Sequence, residues 1–91
     1  MITINKDRLE KRIQALSQFG LDPEGGWSRF PFTPAYDQAR NLVKTWMEEA
    51  GMTVRFDAAG NTIGRLEGAN ILTPVIATGS HIDSVQNGGM Y

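Results

Sequence analysis

The spacing of apolar residues predicts two helices in the first half of the chain. The first is expected to begin after Asn5, a residue type that caps helix N-termini, and Gly20 is suited to end it. The second is expected to begin at Thr33-Pro34, because proline at the first helical position lacks only an N–H that would be unpaired anyway. Gly51 is suited to end this second helix. Both segments carry apolar residues at a period near 3.6: Leu9, Ile13 and Leu16 in the first, and Ala35, Ala39, Leu42, Val43, Trp46, Met47 and Ala50 in the second.

The remaining pattern predicts a loop, a hairpin and one further strand. Residues 21–32 are rich in turn formers and form the loop. Met52, Val54 and Phe56 alternate with polar residues, as on a half-buried strand, and a turn at residues 58–61 leads to a returning strand at 62–66.

Residues 73–78 are apolar on both faces, which is typical of a central strand covered on both sides. Two helices and a hairpin offer little to cover such a strand, and its second edge would lie open to other chains. We therefore expect an α/β fold of two N-terminal helices, a β-hairpin and a central strand, truncated from a larger domain.

Composition narrows the classes of function. The 91 residues are 41% hydrophobic and 21% charged, with a net charge of −1 and no basic stripe, so a nucleic-acid partner is not expected. No apolar run approaches the ~18 residues of a membrane span. The absence of cysteine excludes disulfides, thiolate zinc sites and thiol nucleophiles, and a cytoplasmic setting is expected.

The candidate chemistry lies near the end of the chain, where the apolar segment runs into His81, the only histidine. A neutral imidazole is a good ligand for zinc, cobalt or manganese. In an extended backbone Asp83 would project to the same side and could accept the second ring N–H, fixing the tautomer. Gly88-Gly89 permits a tight turn toward a shared ion. The alternative is a purely structural pair, with His81 hydrogen-bonded at a strand end and Asp83 in a turn or cap.

An aromatic and basic cluster in the first loop comprises Trp27, Arg29, Phe30 and Phe32. A contact with substrate is one interpretation. Packing of the long loop onto the domain is the interpretation we favour, because aromatic residues dominate buried area.

Five short motifs stand out along the first two thirds of the chain: Gly25-Gly26-Trp27-Ser28-Arg29, Thr33-Pro34, Trp46-Met47-Glu48-Glu49-Ala50-Gly51, Val54-Arg55-Phe56-Asp57-Ala58-Ala59-Gly60-Asn61 and Gly64-Arg65-Leu66-Glu67-Gly68. They are followed by Gly79-Ser80-His81-Ile82-Asp83-Ser84-Val85-Gln86-Asn87-Gly88-Gly89-Met90-Tyr91. In this order the motifs resemble the N-terminal region of the hydantoinase/carbamoylase family of amidases, and the resemblance covers nearly the whole chain. The last motif is the most specific, and it resembles the first metal motif of that family.

The resemblance implies that residues 1–91 are the N-terminal segment of a zinc-peptidase-like α/β/α catalytic domain, without the lid and dimerisation domain. His81 would bind one of two divalent metal ions (zinc, manganese or cobalt), and Asp83 would orient it. The general-base glutamate and the other ligands of the family would lie beyond this chain.

The implied activity is hydrolysis of linear amidine or amide C–N bonds in small carbamoyl or ureido compounds, either N-carbamoyl-L-amino acids or allantoate. The full-length enzyme would be a homodimer, and the 91-residue piece alone would be inactive. The rival interpretations are a non-catalytic remnant and a small α/β interaction module with a structural His-x-Asp pair.

Overall fold

The computed structural model describes residues 1–91 and contains four elements. They are α1 (Lys6–Leu16), α2 (Pro34–Glu49), β1 (Thr53–Phe56) and β2 (Thr62–Arg65). The expected α/β class, with two helices followed by a hairpin, is confirmed. Neither helix combines the length and the apolar character that crossing a bilayer requires. The chain divides into two compact units, residues 1–39 with 82–91 and residues 40–81.

Helix α1 begins where the sequence predicts and ends earlier. The side-chain oxygen of Asn5 accepts a hydrogen bond from the Arg8 N–H at 2.9 Å, which confirms the N-cap. The helix ends at Leu16 with Ser17 as its C-cap, so the prediction that Gly20 ends it is wrong. Gly20 instead has a φ of 84° and lies in the turn that follows, where its carbonyl accepts from the Ser28 N–H at 2.8 Å.

Helix α2 has the predicted signals at both ends. The Thr33 hydroxyl accepts a hydrogen bond from the Tyr36 N–H at 3.3 Å. At the other end Gly51, with a φ of 90°, donates to the Glu48 carbonyl at 2.9 Å, and Met52 donates to the Met47 carbonyl at 3.0 Å. This pair of bonds is a Schellman motif, which satisfies the last carbonyls of the helix and requires the left-handed conformation that glycine adopts readily.

Strands β1 and β2 form an antiparallel hairpin in register from Thr53↔Arg65 to Phe56↔Thr62, as predicted. One carboxylate organises its turn: Asp57 accepts from the N–H groups of Ala59 at 3.0 Å and Asn61 at 2.9 Å. The Asn61 side-chain amide donates to the second oxygen of Asp57 at 2.9 Å. These bonds, with that from the Asn61 side chain foremost, hold the pKa of Asp57 below its usual value.

Contacts between α2 and the hairpin organise the second unit. The guanidinium of Arg40 lies over the Phe56 ring at 4.4 Å from its centroid, and also donates to the Gly60 carbonyl at 3.4 Å. Gly64 leaves room for two thioethers, because a β-carbon built there would lie 2.8 Å from the Met52 sulfur and 2.9 Å from the Met47 sulfur.

The predicted central strand at residues 73–78 is not formed, so that part of the prediction is wrong. Residues 74–80 make no backbone hydrogen bond, and Val75 and Ile76 are 68% and 97% exposed. A strand exists only when a neighbouring strand pairs with its N–H and C=O groups. The sheet contains only the strands β1 and β2, and no strand pairs with residues 73–78, which leaves this apolar segment without regular structure. Burial elsewhere is also shallow: Ala39 is the one apolar side chain that is fully buried.

Candidate functional site in the segment that follows His81

Residues 82–88 are held against residues 27–29 by hydrogen bonds at two points. Trp27 and Gly88 exchange both backbone bonds, at 3.0 Å from the Trp27 N–H and 2.7 Å from the Gly88 N–H. Two residues further along the first loop, the Ser84 N–H donates to the Arg29 carbonyl at 2.9 Å, and the Arg29 N–H donates to the Ser84 hydroxyl at 2.8 Å. The Ser84 hydroxyl donates in turn to the Trp27 carbonyl at 3.1 Å. The path of residues 84–88, the later part of the candidate metal motif, is therefore fixed by Trp27 and Arg29.

The Arg29 side chain adds contacts with three carbonyl groups. Its Nε donates to the carbonyl of Ile82 at 2.7 Å, and its Nη1 donates to those of Leu16 at 2.7 Å and Phe19 at 3.2 Å. Helix α1 has no basic residue in its last turn. The last carbonyls of a helix lack intrahelical partners and carry partial negative charge. The Arg29 guanidinium supplies a donor and a positive charge to the carbonyl of Leu16, the last residue of α1.

Two features of its surroundings act on the Arg29 guanidinium in opposite directions. Burial lowers the pKa of the Arg29 guanidinium, and the negative charge of Asp83 acts in the opposite direction. Arginine stays protonated in proteins. The half-buried Asp83 carboxylate therefore lies in the field of a permanent cation.

A second set of bonds secures the other side of the loop. The Ser28 hydroxyl donates to the Asp22 carboxylate at 2.6 Å and accepts from the Asn87 N–H at 3.0 Å. Gly26, with a φ of 77°, approaches the same asparagine so closely that an added β-carbon would overlap the Asn87 side-chain oxygen. The Trp27 indole N–H donates to the Ser17 carbonyl at 2.6 Å.

These contacts test the two interpretations of the aromatic and basic cluster, which are packing of the loop and contact with substrate. Trp27 and Arg29 pack and bond within the first unit, so the packing interpretation is confirmed for them. For Phe32 it is wrong, because this residue is 91% exposed, whereas Phe30 is 42% exposed and is therefore more than half covered. Phe32 also has a φ of 64°, and prolines on either side of the Phe32-Thr33 pair restrict this stretch of backbone.

The surface of the loop contains a shallow cavity of about 520 Å³. It is lined by Asp22, Pro23, Glu24, Gly25, Ser28, Gln86 and Asn87. Neither His81 nor Asp83 lines it, so this cavity is not the site that the sequence indicates.

His81 is exposed and is the last residue of the second unit, and Asp83 belongs to the first unit. No three histidine, aspartate, glutamate or cysteine side chains of this chain come together as a group that could hold a metal ion. A complete site needs three or four protein ligands. The residues of this chain therefore do not fit a metal ion by themselves, and the roles of His81 and Asp83 remain predictions.

Sequence reasoning missed Arg29 and Ser84 as the residues that hold this segment. The pattern of the first loop indicates packing or substrate contact for Arg29, and not a bond to the segment after His81. The bond between the Arg29 N–H and the Ser84 hydroxyl joins residues 55 positions apart, and local patterns carry no signal for such a contact.

Comparison with known proteins gives close relatives along nearly the whole chain, although no family model matches it. An N-carbamoyl-L-amino acid amidohydrolase from Geobacillus stearothermophilus is 47% identical over 88 residues, covering 97% of this chain and 22% of the relative. An allantoate amidohydrolase from Escherichia coli is 40% identical over 89 residues, covering 98% of this chain and 22% of the relative. The chain thus spans about a fifth of the length of these relatives.

The fold has a matching solved structure. A hydantoinase/carbamoylase family amidase from Burkholderia ambifaria superposes with a TM-score of 0.90 at 34% sequence identity, over 97% of this chain and 22% of that one. The sequence relatives and the structural match thus indicate the same family. This chain is a homologue of a segment of the hydantoinase/carbamoylase family of amidases.

Proposed function

We propose that the whole protein that contains this segment is an amidohydrolase acting on linear carbamoyl or ureido compounds. The observation that carries the proposal is identity of 47% and 40%, over nearly the entire chain, to two enzymes named for such substrates. N-carbamoyl-L-amino acids and allantoate share a terminal ureido group, in which the carbonyl lies between an unsubstituted and a substituted nitrogen. We therefore expect the substrate to carry this group.

In the proposed reaction, water adds to the carbonyl carbon of the ureido group and the bond to the substituted nitrogen breaks. That nitrogen takes up a proton, and the released carbamate decomposes to ammonia and carbon dioxide. From an N-carbamoyl amino acid the other product is the free amino acid. Such a reaction needs a group that activates water and a group that stabilises negative charge on the carbonyl oxygen.

We further propose that the whole protein depends on divalent metal ions, zinc, manganese or cobalt, and that His81 supplies one ligand. The exposed imidazole supports this, because a ligand must be accessible to an ion. Asp83 is proposed as the carboxylate that orients His81. Since this chain contains no group of three potential ligands, the remaining ligands must come from the rest of the protein, and the 91-residue piece alone is expected to be inactive.

The test is an assay of the purified full-length protein with a panel of N-carbamoyl-L-amino acids and allantoate. Ammonia and the organic product are measured after chelation and again after addition of zinc, manganese or cobalt. With an N-carbamoyl-L-amino acid we expect ammonia and the free amino acid to be released in equal molar amounts. Turnover should be lost after chelation and should return when a metal ion is added. Failure to hydrolyse any ureido compound would refute the proposed activity, and turnover unaffected by chelation would refute only the metal dependence.

A His81→Ala variant tests the proposed ligand, with Gln86→Ala as its control because Gln86 is an exposed residue of the same motif. We expect turnover to be lost in His81→Ala and kept in Gln86→Ala. Full activity of His81→Ala would support the structural interpretation of the His-x-Asp pair.

A further inference from the structure

Arg29 interacts with each of the three residues that follow His81, through hydrogen bonds with Ile82 and Ser84 and through its charge with Asp83. Its side chain binds the carbonyl of Ile82 at 2.7 Å, its charge interacts with Asp83, and its backbone exchanges two hydrogen bonds with Ser84 at 2.8 and 2.9 Å. A single residue of the first loop thus reaches the whole stretch from Ile82 to Ser84, more than 50 positions away in the sequence.

The same guanidinium is itself held in place. Nη1 donates to the carbonyl of Leu16, the last residue of α1, and to that of Phe19 in the turn beyond it, while Nε donates to the Ile82 carbonyl. A planar guanidinium with several donors in fixed directions can bond to a helix end and to a loop at once. Arg29 therefore links the end of α1 to residues 82–84, which have no regular structure of their own.

Packing alone would not require this arrangement. The hydroxyl and backbone bonds of Ser84 and the two bonds between Trp27 and Gly88 already attach the segment to the first loop. The additional effect of the side chain is to fix the peptide between Ile82 and Asp83 through the bond to the Ile82 carbonyl, and to place the Asp83 carboxylate within the field of a positive charge. These features therefore tighten the attachment of the segment and also bear on the orientation of Asp83.

We propose that Arg29 is a positioning residue, which holds the peptide after His81 and the Asp83 carboxylate in the arrangement that the hydrolysis requires. This inference rests on the proposed function and adds a residue to it. Arg29 acts through Ile82 and Asp83 and does not itself contact substrate. A misplacement of about 1 Å in a site can lower the rate about 100-fold, so the effect of losing Arg29 should be large.

The experiment uses the full-length protein and compares Arg29→Ala with Arg40→Ala. Arg40 is a matched control, because it is also a half-buried arginine that donates to a backbone carbonyl, that of Gly60. We expect Arg29→Ala to lower kcat about 100-fold with KM changed less than about threefold, since positioning acts on the transition state. Arg40→Ala should leave kcat within about threefold of the wild type, because its contacts with Phe56 and Gly60 lie in the hairpin.

Rescue separates positioning from general loss of structure. Free guanidinium ion should restore part of kcat in Arg29→Ala, where it can occupy the vacated space. It should not restore kcat in Arg29→Lys, where the lysine side chain fills that space and cannot reproduce the planar fork. If Arg29→Ala does not fold, Arg29→Lys provides the measurement, and a clear fall in kcat at unchanged KM supports the proposal.

Amide hydrogen exchange gives a readout that does not depend on activity. The Ser84 N–H should exchange faster in Arg29→Ala than in the wild type, and at the wild-type rate in Arg40→Ala. An active wild type with kcat unchanged in Arg29→Ala and Arg29→Lys overturns the inference and leaves the proposed function standing. A wild type that hydrolyses no ureido compound refutes the function. In that case unchanged exchange at Ser84 would also overturn the positioning of the segment, and faster exchange would uphold it.

Discussion

Trp27 and Gly88 donate to each other's carbonyls in both directions, at 3.0 and 2.7 Å, and so form a paired bridge between the first loop and the candidate metal motif. A reciprocal pair of this kind fixes the distance and the relative direction of the two backbones. Gly26, next to the bridge, allows the close approach of Asn87, and its role can be tested directly.

Gly26→Ala should destabilise the protein more than Gly25→Ala. Both glycines have a positive φ, 77° and 92°, so both substitutions carry a backbone cost of about 1–2 kcal/mol. At Gly26 the added methyl would also overlap the Asn87 side chain, whereas no atom lies within 4 Å of one at Gly25. Urea denaturation of the two variants measures the difference in unfolding free energy.

The excess cost of Gly26→Ala should diminish in an Asn87→Gly background, because glycine removes the overlapping side chain and tolerates the φ of 54° at that position. Equal costs in both backgrounds would show that the two side chains do not compete for space.

Gly64→Ala tests the packing of the second unit. Its methyl would require the Met47 and Met52 sulfurs to move, and overpacking of this kind typically costs about 1–3 kcal/mol. Gly68→Ala is the control, because it has no atom within 4 Å and no positive φ. We expect a lower thermal midpoint for Gly64→Ala alone. A midpoint equal to that of Gly68→Ala would mean that the two thioethers rearrange at no cost.

Removal of the cap at the start of α1 should destabilise the helix by about 1 kcal/mol, because Asn5→Ala deletes the acceptor of the Arg8 N–H. Asn41→Ala, at an exposed position inside α2, is the matched substitution and should be neutral or slightly stabilising, since alanine is the better helix former. Denaturation midpoints of the two variants provide the comparison. A larger loss for Asn41→Ala would contradict the capping role of Asn5.

The hairpin turn should weaken in acid. Hydrogen bonds from Asn61 lower the pKa of Asp57 in the folded state below its unfolded value. The stabilisation from this carboxylate is therefore complete above the unfolded pKa of about 3.9 and is lost as pH falls through the lower, folded pKa. Titration of Asp57 by carbon-detected NMR should give a pKa below the unfolded value.

Asn61→Ala should move the pKa of Asp57 upward, because it removes the side-chain donor that contributes most to the shift. Part of the shift should remain, since the backbone N–H of residue 61 still donates to the carboxylate. An unchanged pKa in this variant would show that another charge, such as that of Arg55, dominates.

Local signals in the sequence are sufficient for the elements that depend on local contacts. Asn5, Thr33 and Gly51 each satisfy backbone groups within a few residues of themselves, so their effect can be predicted from a short window. The end of α1 differs from the prediction because Ser17 stops the helix three residues before the glycine that is suited to do so.

The features that could not be predicted depend on distant residues. The apolar pattern of residues 73–78 indicates a surface suited to burial, but a strand also needs a pairing partner, and neither β1 nor β2 pairs with it. Likewise, nothing near Arg29 in the sequence indicates that its guanidinium reaches Ile82, 53 residues away. For the site, the type and spacing of His81 and Asp83 were available from the sequence, and the residue that holds the peptide between them was not.

The bond from Arg29 to Ile82 also has a consequence for the order of folding. It closes a loop of 53 residues, whereas the caps and the hairpin close loops of only a few. Because closing a longer loop costs more chain entropy before any contact offsets it, α1, α2 and the hairpin should form first. The stretch after His81 should then be among the last parts of the chain to become protected during refolding, and the first to open when the protein is stressed.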